Sequence, residues 1–140
     1  MSTDRPWDES VDSPPDRQLV AIAHACFDVA RSGDTARLQA YIEQGVPVNL
    51  TDATGNTLLM LASYHGHAET VSALVALGAD PDRTNDRGQS PMGGAIVKGE
   101  DDVVRALLAA GADPDLGTPS ARATAALFER ADLLAPAPQP

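Results

Sequence analysis

The stretch DATGNTLLMLASYHGHAETVSALVALGADPD, residues 52–82, decides the fold because much of it recurs one period later. Residues 52–84 and 85–117 share twelve identities when aligned in register, and GADPD stands at 78–82 and again at 111–115. Three glycine columns follow the same step of 33: Gly33, Gly66 and Gly99; Gly45, Gly78 and Gly111; Gly55 and Gly88. Self-similarity at a fixed period of this length predicts a stack of repeated supersecondary units.

Each period carries two helical patterns. Val71, Leu74 and Val75 follow the spacing i, i+3, i+4 of a helix face. The matching positions are Val104, Leu107 and Leu108 in the third unit and Leu38, Tyr41 and Ile42 in the first. A second helix is expected before each of these, over about residues 18–31, 58–65 and 91–98. The sequence therefore predicts helix pairs, with Gly66 and Gly78 as helix stops at positive φ.

Acidic residues mark the starts of two outer helices. Asp34 opens the outer helix of the first unit, and Asp101 with Asp102 opens that of the third, where negative charge favours the N-terminal end of a helix. Between units, turn formers around Gly55 and Gly88 predict projecting turns. After Gly111 the chain reaches Thr118 and Pro119 in fewer residues, so we expect a shortened third turn. Thr118 as cap and Pro119 as first helical residue then predict a closing helix to about Arg130.

The repeated stretch resembles an ankyrin repeat. The family pattern has a turn glycine, a threonine that opens the first helix, paired apolar residues, Gly-His between helices and Gly-Ala-Asp after the second. It is met at Gly55, Thr57, Leu58, Leu59, Gly66, His67, Gly78, Ala79 and Asp80. The chain as a whole is similar to small single-domain ankyrin (ANK) repeat proteins of bacteria. The resemblance implies an all-α solenoid of stacked helix-turn-helix units with projecting β-turn loops.

The expected organisation is one ankyrin repeat domain over residues 18–134. Its units cover about 19–51, 52–84 and 85–117, and residues 118–134 form a C-terminal cap. Residues 1–17 and 135–140 are predicted to be disordered, since they are rich in proline and lack apolar periodicity. One departure from the family concerns its usual helix-opening histidine, which is replaced by Met60 and Gly93. The threonine-to-histidine hydrogen bond is then missing, so looser helix starts are expected.

The composition of the chain limits which kinds of partner and which cellular compartment are expected. Twenty acidic and ten basic residues give a net charge of −10, which disfavours nucleic acid and anionic membranes as partners and favours a protein. A single cysteine, Cys26, can form no internal disulfide and fits a reducing, cytoplasmic setting. The N-terminal residues lack the pattern of a secretory signal, and no apolar run approaches the length of a membrane span. The sequence contains none of the familiar catalytic motifs, so we do not expect the protein to be an enzyme.

Several residue groups have both a functional and a structural interpretation. His24, His65 and His67 could bind a metal, but residues two apart on a helix do not face each other, so structural roles are favoured. Asp80 with Asp82, and Asp113 with Asp115, recur at the period of the fold, which favours hydrogen bonds to turn amides over catalysis or calcium. Cys26 shares a column with Leu59 and Met92, which predicts a buried, inert thiol. Gly93 and Gly94 lie inside a helix, where close packing is favoured over access for a partner side chain.

By resemblance to ankyrin domains, the inner helices and turns form a concave face that binds partners. The outward positions there are Arg31, Ser32, Ala53, Thr54, Asn56, Tyr64, His65, Asp86, Arg87, Gln89, Val97 and Lys98. Arginine and tyrosine are enriched where interfaces concentrate their energy, so an acidic and partly apolar protein is the expected partner. The predicted function is a monomeric, cofactor-free binding module. The alternatives are an accessory or stabilising subunit of an enzyme and, less favoured, a small-ligand or metal-binding protein.

Overall fold

The computed structural model describes residues 17–134 of the 140-residue chain. The helices are α1 (Arg17–Ser32), α2 (Thr35–Glu43), α3 (Leu58–Tyr64), α4 (Ala68–Ala76), α5 (Pro91–Lys98), α6 (Asp101–Ala109) and α7 (Ala121–Leu127), followed by a 3₁₀ turn at Ala131–Leu134. Apart from Arg17, which begins α1, the segments 1–17 and 135–140 predicted to be disordered lie outside the described residues. Between residues 17 and 134, β structure amounts to two isolated bridge pairs.

The helices stack in two rows in chain order. In the inner row α1 contacts α3, α3 contacts α5 and α5 contacts α7; in the outer row α2 contacts α4 and α4 contacts α6. Within each unit the inner helix also contacts the outer helix that follows it. The predicted all-α stack of helix pairs is confirmed.

The core lies between the two rows, and its composition explains how closely the helices approach. Leu38, Leu74 and Leu107, one from each outer helix, are at most 1% exposed. Ala62 and Ala95 on the inner helices are completely buried. Because alanine has the smallest apolar side chain, it permits short distances between helix backbones. The predicted apolar face of each outer helix is therefore the face that it buries.

Side-chain oxygens cap the starts of four of the described helices, α2, α3, α5 and α7. Asp34 Oδ1 accepts from the Arg37 amide at 3.2 Å, as predicted for the start of α2. Thr57 Oγ1 accepts from the Met60 amide and Ser90 Oγ accepts from the Gly93 amide, both at 3.0 Å. The inner helices thus begin with full caps even without the family's usual histidine, because a cap needs only a hydroxyl and an amide three residues later.

The start of the closing helix was predicted wrongly. Thr118 and Pro119 lie before α7, and its N-cap is Ser120, whose Oγ accepts from the Ala123 amide at 3.0 Å. Thr118 instead uses its backbone amide to donate to the Gly88 carbonyl at 2.8 Å, which extends the row of turns. The α-helix ends at Leu127 rather than near Arg130. A hydrogen bond to the neighbouring unit therefore took precedence over the local Thr-Pro signal.

The projecting turns are tied to one another by hydrogen bonds. The Asp86 amide donates to the Thr54 carbonyl at 3.0 Å, and Asn85 Nδ2 donates to Asn56 Oδ1 at 2.9 Å. The turns therefore form a second continuous row beside the inner helices.

The glycines predicted to end helices, Gly66 and Gly78, have φ of 83° and 102°, the positive φ that was expected of them.

Candidate functional site

Three depressions lie in a line between the inner helices and the turns. The first, about 830 Å³, lies between α1 and the turn at residues 51–54. The second, about 330 Å³, lies between α3 and the turn around Arg87, and the third, about 140 Å³, lies between α5 and Pro119. Thr54 borders the first and second depressions, and Tyr64 borders the second and third. We refer to this continuous row as the groove.

The floor of the groove is built from the same repeat positions in each unit. Three residues of each inner helix line its depression, at spacing i, i+1, i+4: Phe27, Asp28 and Arg31; Met60, Leu61 and Tyr64; Gly93, Gly94 and Val97. Corresponding residues are 33 apart. The floor of the groove is therefore a product of the repeat, and at these positions the units differ in the side chains that they carry.

Most of the predicted partner-binding residues line this groove. Those that do are Arg31, Ala53, Thr54, Asn56, Tyr64, His65, Arg87, Gln89 and Val97. Ser32 does not, since its hydroxyl donates to the Val29 carbonyl at 3.0 Å. Asp86 and Lys98 are exposed beside the groove, and Lys98 Nζ lies 5.0 Å from the centroid of the Tyr64 ring.

Sequence reasoning missed two sets of lining residues. The first is the floor positions such as Phe27 and Met60, for which no role in the groove was predicted although their column recurs in every depression. The second is Val20 and His24 on α1. Helix α1 begins about two turns earlier than α3 does in its unit, so its first residues replace the turn that opens the other units. The periodicity could have revealed the floor column but not the extension of α1.

An exposed aromatic cluster marks the middle of the groove. Tyr64 is 42% exposed, and the His65 ring stands edge-on to it with centroids 5.8 Å apart. Partial desolvation, followed by the positive charges of His67, Arg31 and Lys98, lowers the pKa of His65 below its ordinary value. Because a lowered pKa favours the uncharged imidazole, His65 presents a neutral ring at neutral pH.

The basic side chains of the described chain differ in whether an aspartate pairs with them. Those that form salt bridges are Arg31, Arg37, Arg105, Arg122 and Arg130. Within residues 18–134, Arg83, Arg87 and Lys98 form none. Arg87 lines the second depression and Lys98 covers the Tyr64 ring, so one of these three cations lines the groove and a second lies beside it.

Carboxylates are confined to the first depression, and both of them have internal partners. Asp28 Oδ1 is 3.0 Å from Arg31 Nη1. Asp52 Oδ1 accepts from the amides of Thr54 and Asn56 at 2.9 and 3.0 Å. Desolvation acts to raise the pKa of Asp52, but these hydrogen bonds outweigh it and lower the pKa. The linings of the second and third depressions contain no aspartate or glutamate.

The remaining candidate groups have structural contacts. His67 Nε2 is 2.7 Å from the Arg31 carbonyl oxygen, which links the first two units. Asp80 and Asp113 each accept from an amide two residues later, at 2.9 Å, as predicted for turn residues. Cys26 is completely buried, as predicted, and desolvation raises its pKa to about 11.

Residues 17–134 contain neither a metal-binding cluster of side chains nor a membrane-spanning helix. No three or more His, Cys, Asp or Glu side chains in that range are grouped so that they could hold a metal ion. None of the helices there is long and apolar enough to cross a membrane.

Comparison with known proteins gives a family match over most of the described chain. A family described as "Ankyrin repeats (3 copies)" matches residues 25–118. An ankyrin repeat protein of Pseudomonas aeruginosa is 50% identical over 56 residues, which is 40% of this chain and 33% of that protein. Ankyrin repeat domain-containing protein 29 is 48% identical in Danio rerio and 45% in Homo sapiens, each over 60 residues, 42% of this chain and 20% of that protein. The similarity thus spans a third or less of each relative.

Proposed function

Because the chain belongs to the ankyrin repeat family, we propose that it is a non-catalytic module that binds a partner protein in the groove. Ankyrin repeats are generally protein–protein interaction modules. The observation that carries the proposal is the groove itself, whose neighbouring depressions share lining residues and whose floor uses the same repeat positions in each unit. A surface of this kind suits a partner segment long enough to contact more than one unit.

The residues in the middle of the groove support a protein partner. Exposed Tyr64 lies beside Arg87, and these two residue types are enriched among the side chains that dominate binding energy in protein interfaces. The turn that holds Arg87 is joined by hydrogen bonds to the turn of the preceding unit. A pre-ordered surface loses little conformational entropy on binding, which favours affinity.

We also propose that the chain acts as a monomer in the cytoplasm, without a cofactor. The single thiol is buried in the core, so the fold does not depend on an oxidising compartment. Nucleic acid is not expected in the groove, since its few cations belong to a chain of net charge −10.

The proposal is tested by affinity purification from the native cell with the full chain as bait. Tyr64→Ala and Arg87→Ala should each reduce recovery of the bound partner about tenfold or more, as expected when a central interface side chain is removed. Arg83→Ala is the matched control, because Arg83 is also exposed and without a salt bridge but does not line the groove.

Equal recovery with all three variants would contradict binding in the groove, provided that their thermal midpoints match that of the unmodified chain. An enzyme recovered at fixed stoichiometry through Tyr64 and Arg87 would identify the partner and assign the chain an accessory role.

A further inference from the structure

We propose that the groove selects an extended partner segment in which an aspartate or glutamate lies close to a large apolar side chain. Arg87 and Lys98 bind the carboxylate, and the third depression takes the apolar side chain beside Tyr64. The inference rests on the proposed function, because it specifies the chemistry of the segment that the groove holds.

The balance of carboxylates and cations in the groove differs from that on the remaining surface. Across residues 17–134 the molecule carries far more carboxylates than cations, and five arginines are already paired with aspartates. The second and third depressions have no carboxylate in their linings, whereas Arg87 in the lining of the second and Lys98 over the Tyr64 ring form no salt bridge. A carboxylate of the partner would supply the charge-assisted hydrogen bonds that these cations lack.

The position of Lys98 ties the charge to the aromatic ring. Its ammonium group lies 5.0 Å from the centroid of Tyr64, within the range of a cation–π contact. Tyr64 borders both the second and the third depression. A carboxylate bound at Lys98 therefore lies at the boundary between the two, next to the space in which a neighbouring side chain would sit.

Two glycines in the middle of α5, Gly93 and Gly94, shape the third depression. The column of Gly93 carries Phe27 and Met60 in the other units, and the column of Gly94 carries Asp28 and Leu61. The third unit therefore lacks side chains at the first two floor positions and keeps only Val97 at the last. A Cβ at Gly94 would lie 3.4 Å from Tyr64 Cδ1, and one at Gly93 would lie 3.1 Å from Ser90 Oγ. A longer side chain at Gly94 would therefore enter the space beside the Tyr64 ring.

The space left by the glycines is of side-chain size and more apolar than polar, with Gln89, Ser90 and Thr124 as its polar lining residues. Its walls include the Tyr64 ring, Pro119 and Val97, which is 50% exposed. Its volume of about 140 Å³ is close to the roughly 150 Å³ of a cavity that holds a benzene molecule. One leucine or phenylalanine side chain of a partner would fill the third depression and cover Val97.

The test is selection of binders from a phage-displayed library of random peptides on the immobilised full chain. Peptides enriched on the unmodified chain should combine Asp or Glu with Leu, Phe or Trp a few residues away. The double variant Arg87→Glu with Lys98→Glu should instead enrich basic peptides, whereas the control Arg83→Glu should enrich the original acidic ones. A synthetic peptide of the enriched sequence should bind the double variant at least about tenfold more weakly.

Two further variants test whether the third depression binds an apolar side chain of the partner. Gly94→Leu gives the third unit the side chain that the second carries at Leu61, and Val97→Asp places a charge in the exposed wall. Both should keep the thermal midpoint within a few degrees and weaken the synthetic peptide about tenfold. Replacing the apolar residue of the peptide by alanine should weaken binding to the unmodified chain but have little further effect on Gly94→Leu.

Two outcomes would overturn the inference. One is enrichment of peptides without acidic residues, and the other is unchanged peptide selection on the charge-reversed variant. If such peptides still lose binding on Tyr64→Ala, the groove binds protein segments of another chemistry and the proposed function stands. If no peptide depends on Tyr64, and the native partner does not either, the proposed function fails as well.

Discussion

Cys26 illustrates how burial alone sets the chemistry of one residue. Its side chain is completely buried, and desolvation raises its pKa from 9.0 to about 11. A pKa that is higher in the folded state means that folding favours the protonated thiol. The resulting contribution to stability is complete below pH 9 and is lost as the pH rises towards 11.

This shift predicts a pH dependence that removal of the thiol should abolish. Between pH 8 and pH 10 the free energy of unfolding should fall by about 1 kcal/mol more in the unmodified chain than in Cys26→Ala, since one pKa unit corresponds to about 1.4 kcal/mol. Urea unfolding at the two pH values measures the difference. Parallel pH dependences would show that the buried thiol does not titrate as its surroundings require.

Single residues could be predicted where the repeat supplied a column to compare. The burial of Cys26 followed from its alignment with Leu59 and Met92, and the turn role of Asp80 followed from its recurrence as Asp113. Lys98 was placed on the concave face, but its contact with the Tyr64 ring could not be foreseen. That contact joins side chains whose rotamers are set by packing rather than by sequence spacing.

The connection between the two helices of a unit offers a test at the scale of an element. Gly33 and Gly99 occupy equivalent positions with similar φ, 77° and 73°. They differ in their surroundings, because a Cβ at Gly33 would overlap the His67 ring, whereas a Cβ at Gly99 meets nothing within 4 Å. The His67 ring is held by its hydrogen bond to the Arg31 carbonyl.

Alanine at both positions should therefore have unequal effects. Gly99→Ala should cost about 1–2 kcal/mol of unfolding free energy, the usual penalty for a left-handed non-glycine residue. Gly33→Ala should cost about 1 kcal/mol more, since the ring must turn and lose its hydrogen bond. Urea titration of the two variants measures both values. Equal losses would mean that His67 contributes nothing to the junction between the first two units.

Helices with apolar periodicity could be predicted, and the closing helix could not be located correctly. The bounds of α5 agree with the expectation, because Ser90, Pro91 and the apolar residues all indicate the same start. For α7 the Thr118–Pro119 pair gave an equally good local signal, yet Ser120 caps the helix. The decisive bond, from the Thr118 amide to the Gly88 carbonyl, spans thirty residues and has no local signature.

At the scale of the whole molecule, stability is shared between neighbouring units. Leu74 of α4 is 1% exposed and lines a narrow gap with Leu38 of α2. In a repeat stack each unit buries its apolar side against its neighbours, so one cavity weakens an entire unit interface. Stability therefore depends on contacts between units as much as on contacts within them.

Truncation of Leu74 should lower the stability of the whole stack. Leu74→Ala should lower the free energy of unfolding by about 2–5 kcal/mol, a large part of the margin of a small domain. Ser72→Ala on the exposed side of the same helix is the control and should change it by less than about 0.5 kcal/mol. Chemical denaturation followed by circular dichroism gives both values. Similar midpoints for the two variants would show that Leu74 is not part of the cooperative core.

The shared floor positions of the groove bear on how such a surface can diversify. Each inner helix offers its residues at the same i, i+1 and i+4 sites, while each outer helix contributes one fully buried leucine, Leu38, Leu74 or Leu107, to the core. A substitution at an exposed floor site that lines one depression, such as Arg31 or Val97, alters that depression alone, whereas Phe27, Met60 and Leu61 also belong to the buried core. Natural or laboratory selection can therefore change the specificity of one depression at a time. Duplication of a unit would lengthen the partner segment that the groove contacts.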